Sequence, residues 1–182
     1  MPPDPGKAGK PVRNRIPLPF LLFCVALSSS GAIPRQAPQP TQHADRIVII
    51  KSTHTMSLMV RGQIIKTYKV ALSPYSVGPK ERYGDHKTPE GIYSVDWKNP
   101  KSQFHLALHV SYPNAADRER ARKLGVNPGG EIEIHGLGAK YGWVGARHRE
   151  TDWTEGCIAV TNEEIEEIWK LVPVGTPIEI LP

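Results

Sequence analysis

EIEIHGLG at residues 131–138 and DWTEGCIAV at residues 152–160 form the two halves of the segment around which this chain is organised. In the first half, isoleucines alternate with polar residues, which predicts a half-buried strand that ends at His135. Gly136 follows at once and allows a sharp turn. The 21 residues between His135 and Cys157 show no helical or strand period, and a loop of that length in a compact domain is usually functional or disordered.

Cys157 and His135 suggest nucleophilic catalysis by a sulfur atom. A thiolate attacks carbonyl carbons, and a neighbouring imidazole can take the thiol proton and return it to a leaving amine. Gly156 would let a carbonyl approach closely, and the backbone N–H groups of Gly156 and Cys157 could face the developing oxyanion. The alternative is structural, because a lone cysteine in an apolar run is often a small buried hydrophobe, and a lone histidine is often satisfied locally.

The motifs around these residues resemble the L,D-transpeptidase catalytic domain, also called YkuD. IHG, a long loop and then T-x-G-C follow the order of that family, and the match continues in GCIAVTN at 156–162. Upstream it includes GDHKTPEGIY at 84–93, a turn that the resemblance places near the rim of the active site. The similarity therefore covers about residues 46–181.

The resemblance implies a mostly β, β-sandwich-like fold with two or three short flanking helices. It implies that Cys157 is the acylated nucleophile and His135 its general base and acid, with no cofactor. The implied substrates are peptidoglycan stem peptides, and carbapenems are implied inactivators through the same thiol. The expected activity is an L,D-transpeptidase that forms a thioester and passes the acyl group to an amine during cell-wall biogenesis.

Five residues are expected to contact the substrate: Gly136, Trp143, Arg149, Thr154 and Glu155. Two positions depart from the family pattern, since many members have His where this chain has Glu155 and Arg where it has Ala159. Because the family arginine is absent, Arg149 becomes the candidate for binding a substrate carboxylate.

Residues 1–32 read as a secretory signal. A basic stretch through Arg15 precedes an apolar run at 16–27 and then small residues, and that run is shorter than a membrane span requires. An uncleaved N-terminal anchor is the alternative. Cys24 lies inside the apolar run and is expected to be removed, which leaves Cys157 as the single thiol and no disulfide framework. The expected location is the periplasm or cell envelope.

The domain boundaries follow from composition. Residues 33–45 are rich in proline and polar residues and read as an extended linker, so residues 46–182 form the catalytic domain. Apolar runs predict strands at 47–50, 58–61, 64–70, 92–97, 104–110 and 178–181. Helices are predicted at 115–124, after Asn114, and beyond the Thr161–Glu164 capping box.

Two classes of function are disfavoured. Residues 1–32 contain four basic residues and one acidic residue, Asp4, and so account for +3 of the formal net charge of +5. Basic and acidic residues nearly balance in the rest of the chain, so a nucleic-acid binder is not expected. His105 and His109 would share one face of a strand, but no further ligands at metal-binding spacing accompany them, so no metal site is expected.

Two functional alternatives remain open at this point. Within the same family, the chain could hydrolyse its substrate, as an L,D-carboxypeptidase or as an amidase that releases proteins from the wall. Outside catalysis, it could be a wall-binding module with an inert Cys157.

Overall fold

A computed structural model describes residues 42–182. The predicted signal segment at 1–32, including Cys24, and most of the predicted linker lie outside the described residues. Within 42–182, no helix is both long enough and apolar enough to cross a membrane.

The described residues form a mixed sheet of eight strands with three α-helices, which confirms the mostly β prediction. The strand order is β3-β2-β1-β8-β4-β5-β6-β7. Neighbouring strands are antiparallel except for the parallel pairs β1–β8 and β6–β7. The strands span Arg46–Ile50 (β1), Thr55–Val60 (β2), Gln63–Lys69 (β3), Gly91–Asn99 (β4), Ala107–Val110 (β5), Glu133–His135 (β6), Ile158–Ala159 (β7) and Pro177–Leu181 (β8).

Strand β4 joins the two halves of the sheet. Its first residues pair with β8, and its residues from Val95 onward pair with β5, with a register shift between Val95 and Trp97. At the far end, a bridge between Ala71 and Ala159 connects the chain after β3 to β7. The sheet therefore curves, so that the segment that follows β3, at one edge of the sheet, contacts β7 at the other edge.

The three helices are Ala115–Leu124 (α1), Gly138–Tyr141 (α2) and Asn162–Leu171 (α3). Helices α1 and α3 begin at capping boxes, as predicted. In the second box, the Thr161 side chain accepts from the Glu164 amide and the Glu164 carboxylate accepts from the Thr161 amide. Ile165 and Ile168 of α3 are fully buried against the sheet. Helix α3 therefore begins at a defined point just after β7.

Two local predictions were wrong. The strand predicted from Phe104 begins only at Ala107, because His105 has a positive φ of 82° and the chain turns there. His105 and His109 consequently do not share a strand face and contact separate carboxylates. The segment after His135, predicted to lack helical structure, contains α2 and 3-10 turns over Gly142–Glu150.

Candidate active site

His135 and Cys157 lie at the ends of two neighbouring parallel strands. Ile134 pairs with Ile158 and His135 with Ala159, so Cys157 comes immediately before β7, beside the strand that carries His135. Both side chains line one open cavity of about 520 Å³. Residues far apart in sequence are thus brought to the same cleft by the sheet.

The imidazole of His135 is buried, with 2% of the residue exposed. Its Nδ1 lies 2.7 Å from the carbonyl oxygen of Gly136. A carbonyl can only accept, so Nδ1 carries the proton and Nε2 is left as an acceptor. Burial lowers the pKa of His135 to about 4, and the ring is therefore neutral at physiological pH.

Two aromatic rings enclose His135. The Phe104 ring is stacked on the imidazole with centroids 4.3 Å apart, and Trp153 approaches edge-on at 5.9 Å. Both rings also line the cleft. They orient the imidazole and keep it in an apolar environment, which is the physical cause of its lowered pKa.

Cys157 is partly buried, and its thiol donates a long hydrogen bond of 3.5 Å to the carbonyl oxygen of Glu131. Burial raises the pKa of Cys157 to about 11, because a thiolate is poorly solvated there. A resting thiolate is therefore disfavoured. The free protein therefore holds a neutral thiol and a neutral imidazole at physiological pH.

The turn that carries Cys157 is shaped by Thr154 and Gly156. Thr154 Oγ1 donates to the Cys157 carbonyl at 2.8 Å and accepts from the Gly156 N–H at 3.4 Å. Gly156 has a φ of 117°, and a Cβ there would lie 2.7 Å from the Lys87 carbonyl oxygen. Only glycine fits this position without a shift of the backbone.

Of the five predicted substrate contacts, Thr154 and Glu155 line the cleft. Glu155 is highly exposed, and its carboxylate lies 4.0 Å from the His86 ring. Gly136 is buried and does not line the cleft. Its carbonyl oxygen instead accepts the hydrogen bond from His135 Nδ1. Ala159 is fully buried in β7 and pairs with His135, so its side chain lies on the sheet face of His135 but does not line the cleft.

Arg149 and Trp143 lie away from the cleft. The Arg149 guanidinium forms an ion pair with Glu164, which neutralises its charge, and Arg149 does not line the cavity of Cys157. Trp143 lines a second cavity of about 520 Å³. Phe104 and Trp153 line both cavities and form the shared wall between them.

Several residues that line the cleft were not predicted from the sequence. Phe104 was assigned only to the strand predicted at 104–110, and Lys80, Tyr83 and Gln103 carried no recognisable motif. His86 belongs to the GDHKTPEGIY turn, and its place in the cleft matches the rim position that the family resemblance implied. Within residues 42–182, no three or more His, Cys, Asp or Glu side chains gather as a metal-binding group.

Comparison with known proteins confirms the family resemblance. Residues 44–180 match the family described as the L,D-transpeptidase catalytic domain, YkuD. YafK of Escherichia coli (strain K12), whose name classes it provisionally as an L,D-transpeptidase, is 33% identical over 132 residues, which are 69% of this chain and 46% of YafK. The chain thus spans about half the length of the curated relatives it matches.

Solved structures share the fold. The helical cell shape determining protein Pgp2 from Campylobacter jejuni superposes with a TM-score of 0.57 at 25% identity, over 76% of this chain and 48% of Pgp2. An L,D-transpeptidase from Mycobacterium smegmatis superposes with a TM-score of 0.51 at 16% identity, over 76% of this chain and 59% of that protein. At the lower identity, the likeness concerns the fold alone.

Proposed function

The chain belongs to the L,D-transpeptidase catalytic-domain (YkuD) family, and we propose that it transfers acyl groups on peptidoglycan stem peptides with Cys157 as nucleophile. The observation that carries the proposal is the shared cleft, into which Cys157 and His135 both project, with Nε2 of the imidazole left as an acceptor. Pgp2, a helical cell shape determining protein with the same fold, supports a role in cell-wall remodelling.

The first half-reaction forms a thioester. As Cys157 Sγ attacks the carbonyl carbon before a terminal D-amino acid, His135 Nε2 takes the thiol proton. Collapse of the tetrahedral intermediate breaks the C–N bond, and the imidazolium returns the proton to the leaving amine. The backbone N–H groups of Gly156 and Cys157 are the proposed donors to the oxyanion.

The second half-reaction releases the enzyme. A neutral amine attacks the thioester carbon, His135 takes a proton from it, and the C–S bond breaks as the proton passes to the departing sulfur. A new amide and the original thiol result. Water in place of the amine would give a free carboxylate, which is the product of the hydrolytic alternative.

The low pKa of His135 favours the second of these proton transfers over the first, since a weakly basic imidazole takes the thiol proton less readily than it later gives that proton up. An imidazolium in an apolar site is a strong acid, so it protonates the leaving amine readily and returns to the neutral form. Neither charge persists between turnovers. The proposed location is the cell envelope, where stem peptides occur, and carbapenems are proposed to acylate Cys157 by the same attack.

The test is incubation of the purified protein with tetrapeptide muropeptides, followed by mass analysis. The expected product is a cross-linked dimer that has lost one D-amino acid, and Cys157→Ala and His135→Ala should form none. His109→Gln, which changes a histidine outside the cleft, is the matched control and should remain active. Trimmed monomers alone would establish hydrolysis instead, and unchanged muropeptides with a folded protein would reject catalysis on this substrate.

A further inference from the structure

Asn162, the first residue of α3, is bonded to the segment that follows His135. Its Oδ1 accepts from the backbone N–H of Leu137 at 2.8 Å, and its Nδ2 donates to the carbonyl of Gly138 at 3.4 Å. The side chain is not needed to cap α3, because Thr161 and Glu164 already form the capping box. The amide of Asn162 is thus committed to the turn after β6.

One peptide unit connects Asn162 to the imidazole. The carbonyl of Gly136 accepts from His135 Nδ1 at 2.7 Å, and the N–H of the same peptide belongs to Leu137 and donates to Asn162. A peptide is planar, so its C=O and N–H directions are fixed relative to each other. Holding the N–H therefore also holds the carbonyl that His135 uses.

Two glycines make room for the Asn162 amide. A Cβ at Gly136 would lie 2.7 Å from Asn162 Oδ1, and a Cβ at Gly142 would lie 2.5 Å from Asn162 Nδ2. Both distances are shorter than real contacts to a Cβ, so any larger residue would displace the amide. Gly136 and Gly142 therefore leave the space that the Asn162 amide occupies.

We propose that Asn162 is a positioning residue for His135, which it acts on through the Gly136–Leu137 peptide. By holding this peptide, Asn162 keeps the proton on Nδ1 and presents Nε2 as the acceptor for the Cys157 proton. The proposal rests on the proposed function only in assigning His135 as the base. It adds a residue that touches neither the cleft nor the thiol.

Loss of the Asn162 amide would free the peptide to rotate. His135 Nδ1 would then lose its fixed acceptor, and the tautomer with the proton on Nε2 would become populated. That tautomer cannot take a proton from the thiol, and a wrong tautomer at a catalytic histidine is very costly to rate.

The test compares Asn162→Ala, Asn162→Asp and Thr161→Ala by two measurements that need no peptidoglycan. The ¹⁵N shifts of His135 report its tautomer, and the rate of Cys157 alkylation by iodoacetamide reports the base. In Asn162→Ala, we expect a mixed tautomer and alkylation slowed about tenfold or more. Asn162→Asp keeps an acceptor for the Leu137 N–H and should restore the wild-type tautomer and most of the rate.

Thr161→Ala is the structural control, since it removes the cap of the same helix without touching the Gly136–Leu137 peptide. This variant should keep the His135 tautomer and the Cys157 alkylation rate of the wild type. A wild-type tautomer in Asn162→Ala, or an equal change in Thr161→Ala, would overturn the proposal. Failure of the proposed function would show separately, as a wild-type protein that alkylates normally but leaves muropeptides unchanged.

Discussion

Phe104 and His135 form a stacked pair, with ring centroids 4.3 Å apart and planes inclined by 25°. The pair is formed by a turn that precedes β5 and by the last residue of β6. Because the phenyl ring shields one face of the imidazole from water, Phe104 helps to hold His135 neutral. The acid–base properties of the candidate base therefore depend on an apolar neighbour as well as on its polar contacts.

Replacing Phe104 by Ala should raise the pKa of His135 from about 4 toward the ordinary value of 6.5. Water would then reach the imidazole and solvate its charged form. An NMR titration of the His135 ring measures the change directly. Phe104→Leu keeps an apolar cover and should shift the pKa less, whereas equal titration curves for wild type and Phe104→Ala would contradict the explanation.

Formation of the thioester should be nearly independent of pH between about pH 5 and pH 9, because neither Cys157 nor His135 changes charge there. Below a pH of about 4, His135 becomes protonated and cannot accept the thiol proton. Near pH 11, Cys157 loses the proton that the leaving amine needs. The profile of kcat/KM against pH measures both limits. An alkaline limit near pH 8 would instead indicate an ordinary, solvated thiol.

The folded protein should lose stability as the pH falls from about 6.5 to about 4. His135 and His148 are both buried, and burial lowers the pKa of each from 6.5 to about 4. The unfolded chain therefore binds more protons in this range, and protonation favours unfolding. The decrease in the free energy of unfolding approaches about 3 kcal/mol for each histidine at lower pH.

Urea unfolding at several pH values measures this loss. His148→Gln removes one of the two buried titrating groups and should flatten the dependence on pH by about half. His43→Gln changes an exposed histidine and is the control that should keep the full slope. A wild-type protein of equal stability at pH 4.5 and pH 7 would contradict the prediction.

Gly156→Ala should destabilise the turn that carries Cys157 far more than Gly175→Ala destabilises its own turn. Both residues have positive φ, 117° and 91°, so both substitutions strain the backbone by about 1–2 kcal/mol. Only at Gly156 would the new Cβ also lie 2.7 Å from a backbone oxygen, whereas nothing lies within 4 Å at Gly175. Thermal unfolding compares the two, and equal losses would show that the contact with Lys87 relaxes freely.

Local patterns predicted much of the fold. The capping boxes at Asn114 and Thr161, and the strand that ends at His135, depend on residues close in sequence, and the structure has each of them. The strand predicted from Phe104 failed because an alternating apolar pattern does not reveal a residue with positive φ. His105 takes that conformation, which ends the regular backbone and turns Phe104 toward the cleft.

The chemistry of the site was harder to predict than its residues. Cys157 and His135 were identifiable, but their pKa values depend on burial by Phe104, Trp153 and other groups distant in sequence. Arg149 was assigned to a substrate because the family arginine is absent, and its actual partner, Glu164, was assigned only to a capping box. A single carboxylate oxygen of Glu164 serves both the box and the arginine, which no local pattern reveals.

Because β6 and β7 are hydrogen-bonded neighbours in the sheet, their pairing fixes the spacing of His135 and Cys157. This spacing does not depend on the path that the chain takes between the two strands. The exposed residues of this crossover, among them Ala146, Arg147 and Glu150, can therefore be exchanged without moving either end. Gly142, His148 and Arg149 cannot, because they pack or pair with the residues that surround the site. The fold therefore separates the spacing of the two candidate catalytic residues from the length and sequence of the segment that joins them.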